Sequence, residues 1–171
     1  LLGITALACS GIYSILLVLM RTPFFQRVVP LKDFFHTALV VHVDLSVLVW
    51  MLSLSCMLWA LIGKARYLGA YYTSHTVAAI GMGMIAFSPF TGEPGPLMNN
   101  YIPVLQNPFF FLGLALFGCG VLLHIILTFM TYHPWEAGKA ESAVTHYALY
   151  YGIVITFIAF VAFVLSYVQV S

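Results

Sequence analysis

The stretch from Phe34 to Gly63 constrains the chain more than any other. It runs thirty residues with a single charge, Asp44. An apolar run of that length is long enough to cross a bilayer with tilt to spare, and too long for an ordinary buried helix. Eight residues into it stands His42, roughly 12 Å down the helix at a rise of about 1.5 Å per residue. An imidazole at that depth in hydrocarbon needs a partner. A neighbouring backbone group or hydroxyl is one, and a metal is the leading rival.

Four further apolar spans surround this one, and the sequence predicts an all-α membrane protein, a bundle of five transmembrane helices forming one domain over residues 1–171. The first span covers about Leu2 to Met20 and stops at Arg21-Thr22-Pro23. The third covers about Ala70 to Ser88, the fourth Pro108 to about Tyr132, and the fifth about Ala143 to Gln169. Ala6, Ser10 and Ser14 on the first span, and Ala79 and Gly83 on the third, are spaced for close helix packing. Asp33 is a candidate N-cap for the second span, and Gly63-Lys64 reads as its stop. Asn107-Pro108 pairs an N-cap residue with proline at N1, and His133-Pro134 ends that fourth helix before a short charged turn from Pro134 to Glu141. Between the third and fourth spans, Pro89 to Gln106 carries Gly92, Pro94, Gly95, Pro96 and Pro103, which predicts a largely non-helical segment at the membrane surface.

Composition agrees with this class. The chain is 63% hydrophobic and 6% charged, with a formal net charge of +1 and a mean hydropathy of +1.04. That excludes a basic footprint for nucleic acid. Leu1 to Met20 has neither an initiator Met nor a charged leading segment. It reads as a chain beginning inside its first helix, as a fragment would, rather than as a cleaved signal peptide. Arg21, Arg27 and Lys32 on one side balance Lys64, Arg66 and Lys139 on the other, so charge does not orient the bundle. Cys9, Cys56 and Cys119 stand singly in apolar runs and read as small core residues.

Depth sorts the histidines. His36 lies above His42 on the same helix, about 120° away, so the two cannot clasp one haem. His75, His124 and His146 fall at the opposite level. His42 therefore has no level-matched partner on another helix of this chain. Asp44 is about 160° round the helix from His42 and does not orient its ring. It is either hydrogen-bonded to another helix or part of a polar channel. Ala38, Val41, Leu45 and Ser46 are small or apolar, which suits a flat macrocycle against the helix.

With Leu39-Val-Val-His42 and Leu45-Ser-Val-Leu-Val-Trp50, the second span resembles helix II of subunit I in the haem–copper oxidase superfamily. Arg21 stands where that family's first helix commonly ends in an arginine near the low-spin haem. The run Pro96-Leu-Met-Asn-Asn-Tyr-Ile-Pro103 looks like segments preceding a helix in these subunits. The spacing from His42 to Met98-Asn99-Asn100 is closer to the nitric-oxide-reductase and b-haem branch than to the mitochondrial-type enzyme.

The resemblance implies the N-terminal part of a terminal oxidase catalytic subunit, not catalytic on its own. His42 would be one axial ligand of a low-spin b- or a-type haem, with Arg21 beside it. Copper would sit only in a partner segment, because the family's copper-ligating histidines come from later helices and no His-His pair is present here. The implied partners are the C-terminal part or other subunits of an oxidase, the lipid bilayer, and cytochrome c or quinol as electron donor. The implied location is the bacterial or mitochondrial inner membrane. A runner-up is a small cytochrome-b-like or quinone-binding membrane anchor, its haem held by two of His75, His124 and His146. A third reading is a structural subunit or transporter without cofactor.

Five crossings put the segments flanking the first and fifth helices on opposite sides of the membrane. Cysteine-accessibility labelling at introduced flanking cysteines should report opposite sides; labelling from one side at both would refute the count.

Overall fold

A computed structural model describes residues 1–28, 34–62, 67–91, 95–97, 103–132 and 143–170. The candidate N-cap Asp33, the Gly63-Lys64 stop, the Met98–Ile102 run and the charged turn after His133 lie outside them. The described chain is mostly helical. Helix α1 (Leu2–Leu19) is followed by a short α2 (Pro23–Val28). The central span is one continuous helical rod in three parts: α3 (Phe34–Val43), a π-helical segment (Asp44–Val49) and α4 (Trp50–Trp59). Then come α5 (Leu68–Phe87), α6 (Pro108–Thr131) and α7 (Ala143–Val170). Among the described residues, four helical stretches are long and apolar enough to cross a membrane: Leu2–Leu19, Phe34–Trp59, Pro108–Thr131 and Ala143–Ala162. Helix α5 is 20 residues long but is not among the four, because Tyr71, Tyr72, Thr73, Ser74, His75 and Thr76 dilute its apolar content.

Between α5 and α6 the segment turns through a 3₁₀ turn (Ser88–Phe90) and a two-residue antiparallel ladder, β1 (Pro96–Leu97) and β2 (Val104–Leu105). Pro96 pairs with Leu105 and Leu97 with Val104. The proline-rich sequence predicts the missing helix but not this hairpin. Helix α6 starts as predicted. The Asn107 side chain accepts from Phe109 N–H at 2.8 Å, and its amide donates to Thr91 Oγ1 at 3.0 Å, fastening both ends of the connection together.

Helices α5 and α6 form an antiparallel pair in backbone contact. A Cβ on Gly81 would lie 2.3 Å from the Phe117 nitrogen and 2.6 Å from the Gly113 oxygen. A Cβ on Gly120 would lie 2.6 Å from the Ala78 nitrogen. The buried α5 stripe is thus Ser74, Ala78, Gly81 and Ile85. This corrects the expected Ala79/Gly83 register: Ala79 is exposed, and nothing lies within 4 Å of a Cβ built on Gly83. The α1 stripe shifts similarly. Ala6, Ser10 and Tyr13 are buried, while Ser14 is exposed. In both cases spacing alone left the face open, and helix contacts chose it.

Helix α1 lies along α3 and α4, and the Tyr13 hydroxyl donates to the Ala86 carbonyl, tying it to α5. Helix α7 rests on α4 and α6 through Trp59 against Gly152 and Phe129 against Tyr150. Of the three cysteines only Cys56 is buried; Cys9 is half-buried and Cys119 exposed, so the core reading holds for one of them.

Replacing Gly81 with Ala forces helix backbones apart and should cost about 1–3 kcal/mol, as overpacking does. Gly83→Ala meets no neighbour and should be neutral or stabilise by up to about 1 kcal/mol through helix propensity. Unfolding midpoints in detergent, compared side by side, check both.

Candidate functional site

His42 sits on α3, two residues before the π-helical segment, and is half-buried. Its Nδ1 lies 2.9 Å from the backbone oxygen of Ser10 on α1, and 2.9 Å from the Ser10 hydroxyl. A carbonyl oxygen only accepts, so this geometry assigns the ring proton to Nδ1. The Ser10 hydroxyl donates in turn to the His42 carbonyl at 3.1 Å, and Ser46 Oγ donates to the same carbonyl at 2.7 Å. Among the described residues no group hydrogen-bonds Nε2. The ring is therefore oriented at one nitrogen and presents a lone pair at the other. A ligating histidine is typically held this way, its second nitrogen donating to a carbonyl.

The π-helical segment starts immediately after this anchor. Such segments insert an extra residue, shift the register of everything beyond them, and are frequent at functional sites. Neither this bulge nor the Ser10 anchor was read from the sequence. A signal for the anchor was present: Ser10 lies about ten residues below the top of α1, at the same depth as His42 on the neighbouring helix.

Arg21 is exposed, and its guanidinium lies over the Phe35 ring at 5.4 Å from the centroid. Phe35 is seven residues before His42, hence on nearly the same helix face and roughly 10 Å nearer the helix start. The structure thus brings Arg21 to the His42 face without bringing it into contact with the imidazole. The expected apolar bed needs correction. Ala38, Val41 and Leu45 are fully buried against this chain's own helices, so no external group can lie on them. The half-buried residues flanking His42 along its face are Phe35, Leu39 and Ser46.

Asp44 points into the protein with 1% of its surface exposed. Neither carboxylate oxygen has a hydrogen-bond partner among the described residues, so the expected bond to another helix is not formed there.

The lower histidines separate. His124 is buried, and the exposed His75 packs against it edge-on, ring centroids 5.4 Å apart at 62°. Tyr71, one turn before His75 on α5, also packs edge-on against His124 at 5.0 Å, its hydroxyl 3.0 Å from Thr131 Oγ1. Rings in such contact leave no slot between them for a macrocycle. His146, fully buried, has Nε2 3.3 Å from the Tyr132 hydroxyl instead. Burial, then the nearby phenols of Tyr147, Tyr150 and Tyr151, raise the Tyr132 hydroxyl above its ordinary pKa. The expectation that the chain holds no His-x-x-x-Tyr needs correction: His146 and Tyr150 stand at that spacing, and here both pack on Tyr132. Among the described residues, no cluster of three or more His, Cys, Asp or Glu could hold a metal ion.

The chain is 35% identical over 149 residues to an uncharacterized protein of Rickettsia prowazekii (strain Madrid E), covering 73% of this chain and 29% of that protein. It is 36% identical over 123 residues to an uncharacterized protein of Aquifex aeolicus (strain VF5), covering 72% of this chain and 31% of that protein. The chain thus spans about three tenths of the length of the curated relatives it matches. No family model and no solved structure matches it.

Ser10→Ala removes the hydroxyl but not the carbonyl that holds Nδ1–H. It should cost about 1 kcal/mol of stability while the His42 ring keeps its proton on Nδ1. The ¹⁵N chemical shifts of the labelled ring check the tautomer.

Proposed function

We propose that this chain is the N-terminal portion of a haem–copper terminal oxidase catalytic subunit, in which His42 Nε2 is one axial ligand of a low-spin haem. The observation that carries the reading is the state of His42: Nδ1–H is tied to the Ser10 carbonyl, and Nε2 has no hydrogen-bond partner among the described residues. Held by His42 together with a second imidazole from elsewhere in the oxidase, such a haem would supply one-electron transfer.

The chain's own residues have separable tasks in this reading. Ser10 orients the imidazole and fixes its tautomer. Phe35, Leu39 and Ser46 supply the surface flanking it, rather than the buried Ala38, Val41 and Leu45. Arg21, spread over Phe35, brings a permanent positive charge to the same face, where it would pair with the carboxylates of a bound haem. Copper ligands and the oxygen-reducing site belong to a partner segment. The chain's coverage of about three tenths of longer relatives favours a part rather than a whole.

The reading also places the bundle across a bacterial or mitochondrial inner membrane. Helix α5 is the remaining crossing, with Ser74 buried against α6 and Tyr72, Thr73, His75 and Thr76 exposed, and cytochrome c or quinol is the electron donor. The runner-up, with haem between two lower histidines, gains no support from the edge-on contact of His75 with His124.

His42→Ala in the full-length protein should remove the low-spin α-band from the reduced-minus-oxidised spectrum and stop electron transfer, while the bundle stays inserted. A pyridine haemochrome assay measures how much haem remains. An unchanged spectrum in the variant would overturn the assignment.

A further inference from the structure

A second polar site lies at the other level of the bundle, away from His42. There α4, α5 and α6 meet the start of α1 around a cavity of about 10 Å³. Ser53 and Cys56 from α4, Ser74 and His75 from α5, and His124 from α6 form its polar wall. Two of these side chains are more than nine-tenths buried and lack partners. They are His124, at 1% exposure, and Ser53, at 8%. Ser53 Oγ and both ring nitrogens of His124 make no hydrogen bond among the described residues. The Cys56 backbone faces the imidazole but falls short of hydrogen-bond geometry.

The neighbours show that this is particular to the cavity. A helical serine or threonine ordinarily bonds back to a carbonyl of the preceding turn. Ser55 does so to Met51 at 2.9 Å, Ser74 to Tyr71 at 2.9 Å and Thr128 to His124 at 2.9 Å. Ser53 does not. Buried polar atoms without a protein partner are the usual partners of internal water. A cavity of this size accommodates about one water, which needs two to four polar contacts. Ser53 Oγ on α4 and one ring nitrogen of His124 on α6 meet that need; the two ring nitrogens diverge, so a single water reaches only one of them.

We infer that Ser53 and His124 bind one internal water molecule, which bridges α4 and α6. Water fits better than a metal ion, which takes about four ligands at a structural site; the described residues around this cavity offer no cluster of three. The water fixes which His124 nitrogen carries the proton, because a ring nitrogen that donates to it differs from one that accepts. His75, exposed and in edge contact with His124, marks the side from which the site communicates with the surroundings. None of this depends on His42 or on a haem.

The test uses the full-length protein in lipid, with ¹⁵N-histidine labelling and water-edited solid-state NMR. His124→Leu assigns the His124 ring signals. In the parent protein these signals should build up rapidly from water magnetisation. Ser53→Ala should slow that build-up several-fold and leave the His146 signals, which report the Tyr132 contact, unchanged. Absence of transfer to His124, or an unaltered rate in Ser53→Ala, overturns the proposal. Unfolding midpoints give an independent reading. With a water bridge, Ser53→Ala and His124→Leu each lower the midpoint, and the double variant is no worse than the weaker single variant. In a dry cavity each apolar replacement raises the midpoint and the effects add, which also overturns it.

Discussion

The backbone contact between α5 and α6 holds the rest of the architecture in place. Close packing of backbone against backbone supplies van der Waals attraction between the two helices. Gly81, Gly113 and Gly120 allow it by removing the side chains that would hold the rods apart. Once the helices are in register there, the lower level follows. Tyr71 reaches Thr131, and His75 meets His124. At the other end the same pairing is closed by the short β ladder and by Asn107, which caps α6 while bonding Thr91.

The second structural unit is the crossing of α1 with α3, and its polar centre is Ser10 with His42. His42 Nδ1–H donates to the Ser10 carbonyl, with the Ser10 hydroxyl also 2.9 Å from Nδ1. That hydroxyl donates back to the His42 carbonyl, on helices whose buried residues are otherwise largely apolar. Polar contacts among apolar helices fix register more sharply than packing alone, because a one-residue slip leaves every partner unmatched. The imidazole is thereby held still with one nitrogen open. The π-helical segment beyond it turns the remainder of the rod, so that Ser53, Cys56 and Trp59 face the interior below.

Polar groups are few inside this bundle, and they fall into two kinds. Tyr13, Ser10, Thr128 and Thr131 are hydrogen-bonded within the described chain. Asp44, Ser53 and His124 are buried and are not. Leaving such groups unpaired is costly, so each points to something the protein brings to it: a solvent molecule, a proton or a neighbouring segment. Their separation, with Asp44 just past His42 and Ser53 and His124 together below, gives the bundle two distinct polar levels.

While the short α2 at Pro23–Val28 falls in a stretch read as a loop, long apolar runs, prolines and the Asn107 cap set the long helices from the sequence alone. Local rules govern them: Pro108 behind Asn107 starts a helix in almost any context, and thirty residues with one charge read as one rod. Depth along those rods also separated His42 from His75 and His124, since rise per residue is a local quantity. Rotation about the rods was decided only in the tertiary structure. Ser14, Ala79 and Gly83 had the spacing of packing residues and face outward, while Tyr13, Ala78 and Gly81 face in, because a small residue is equally at home on several faces until a neighbour chooses one. The π bulge after Val43, the Ser10 carbonyl on His42 and the burial of Ala38, Val41 and Leu45 have the same origin. Each depends on where a second helix lies, and no single helix encodes that in its own period.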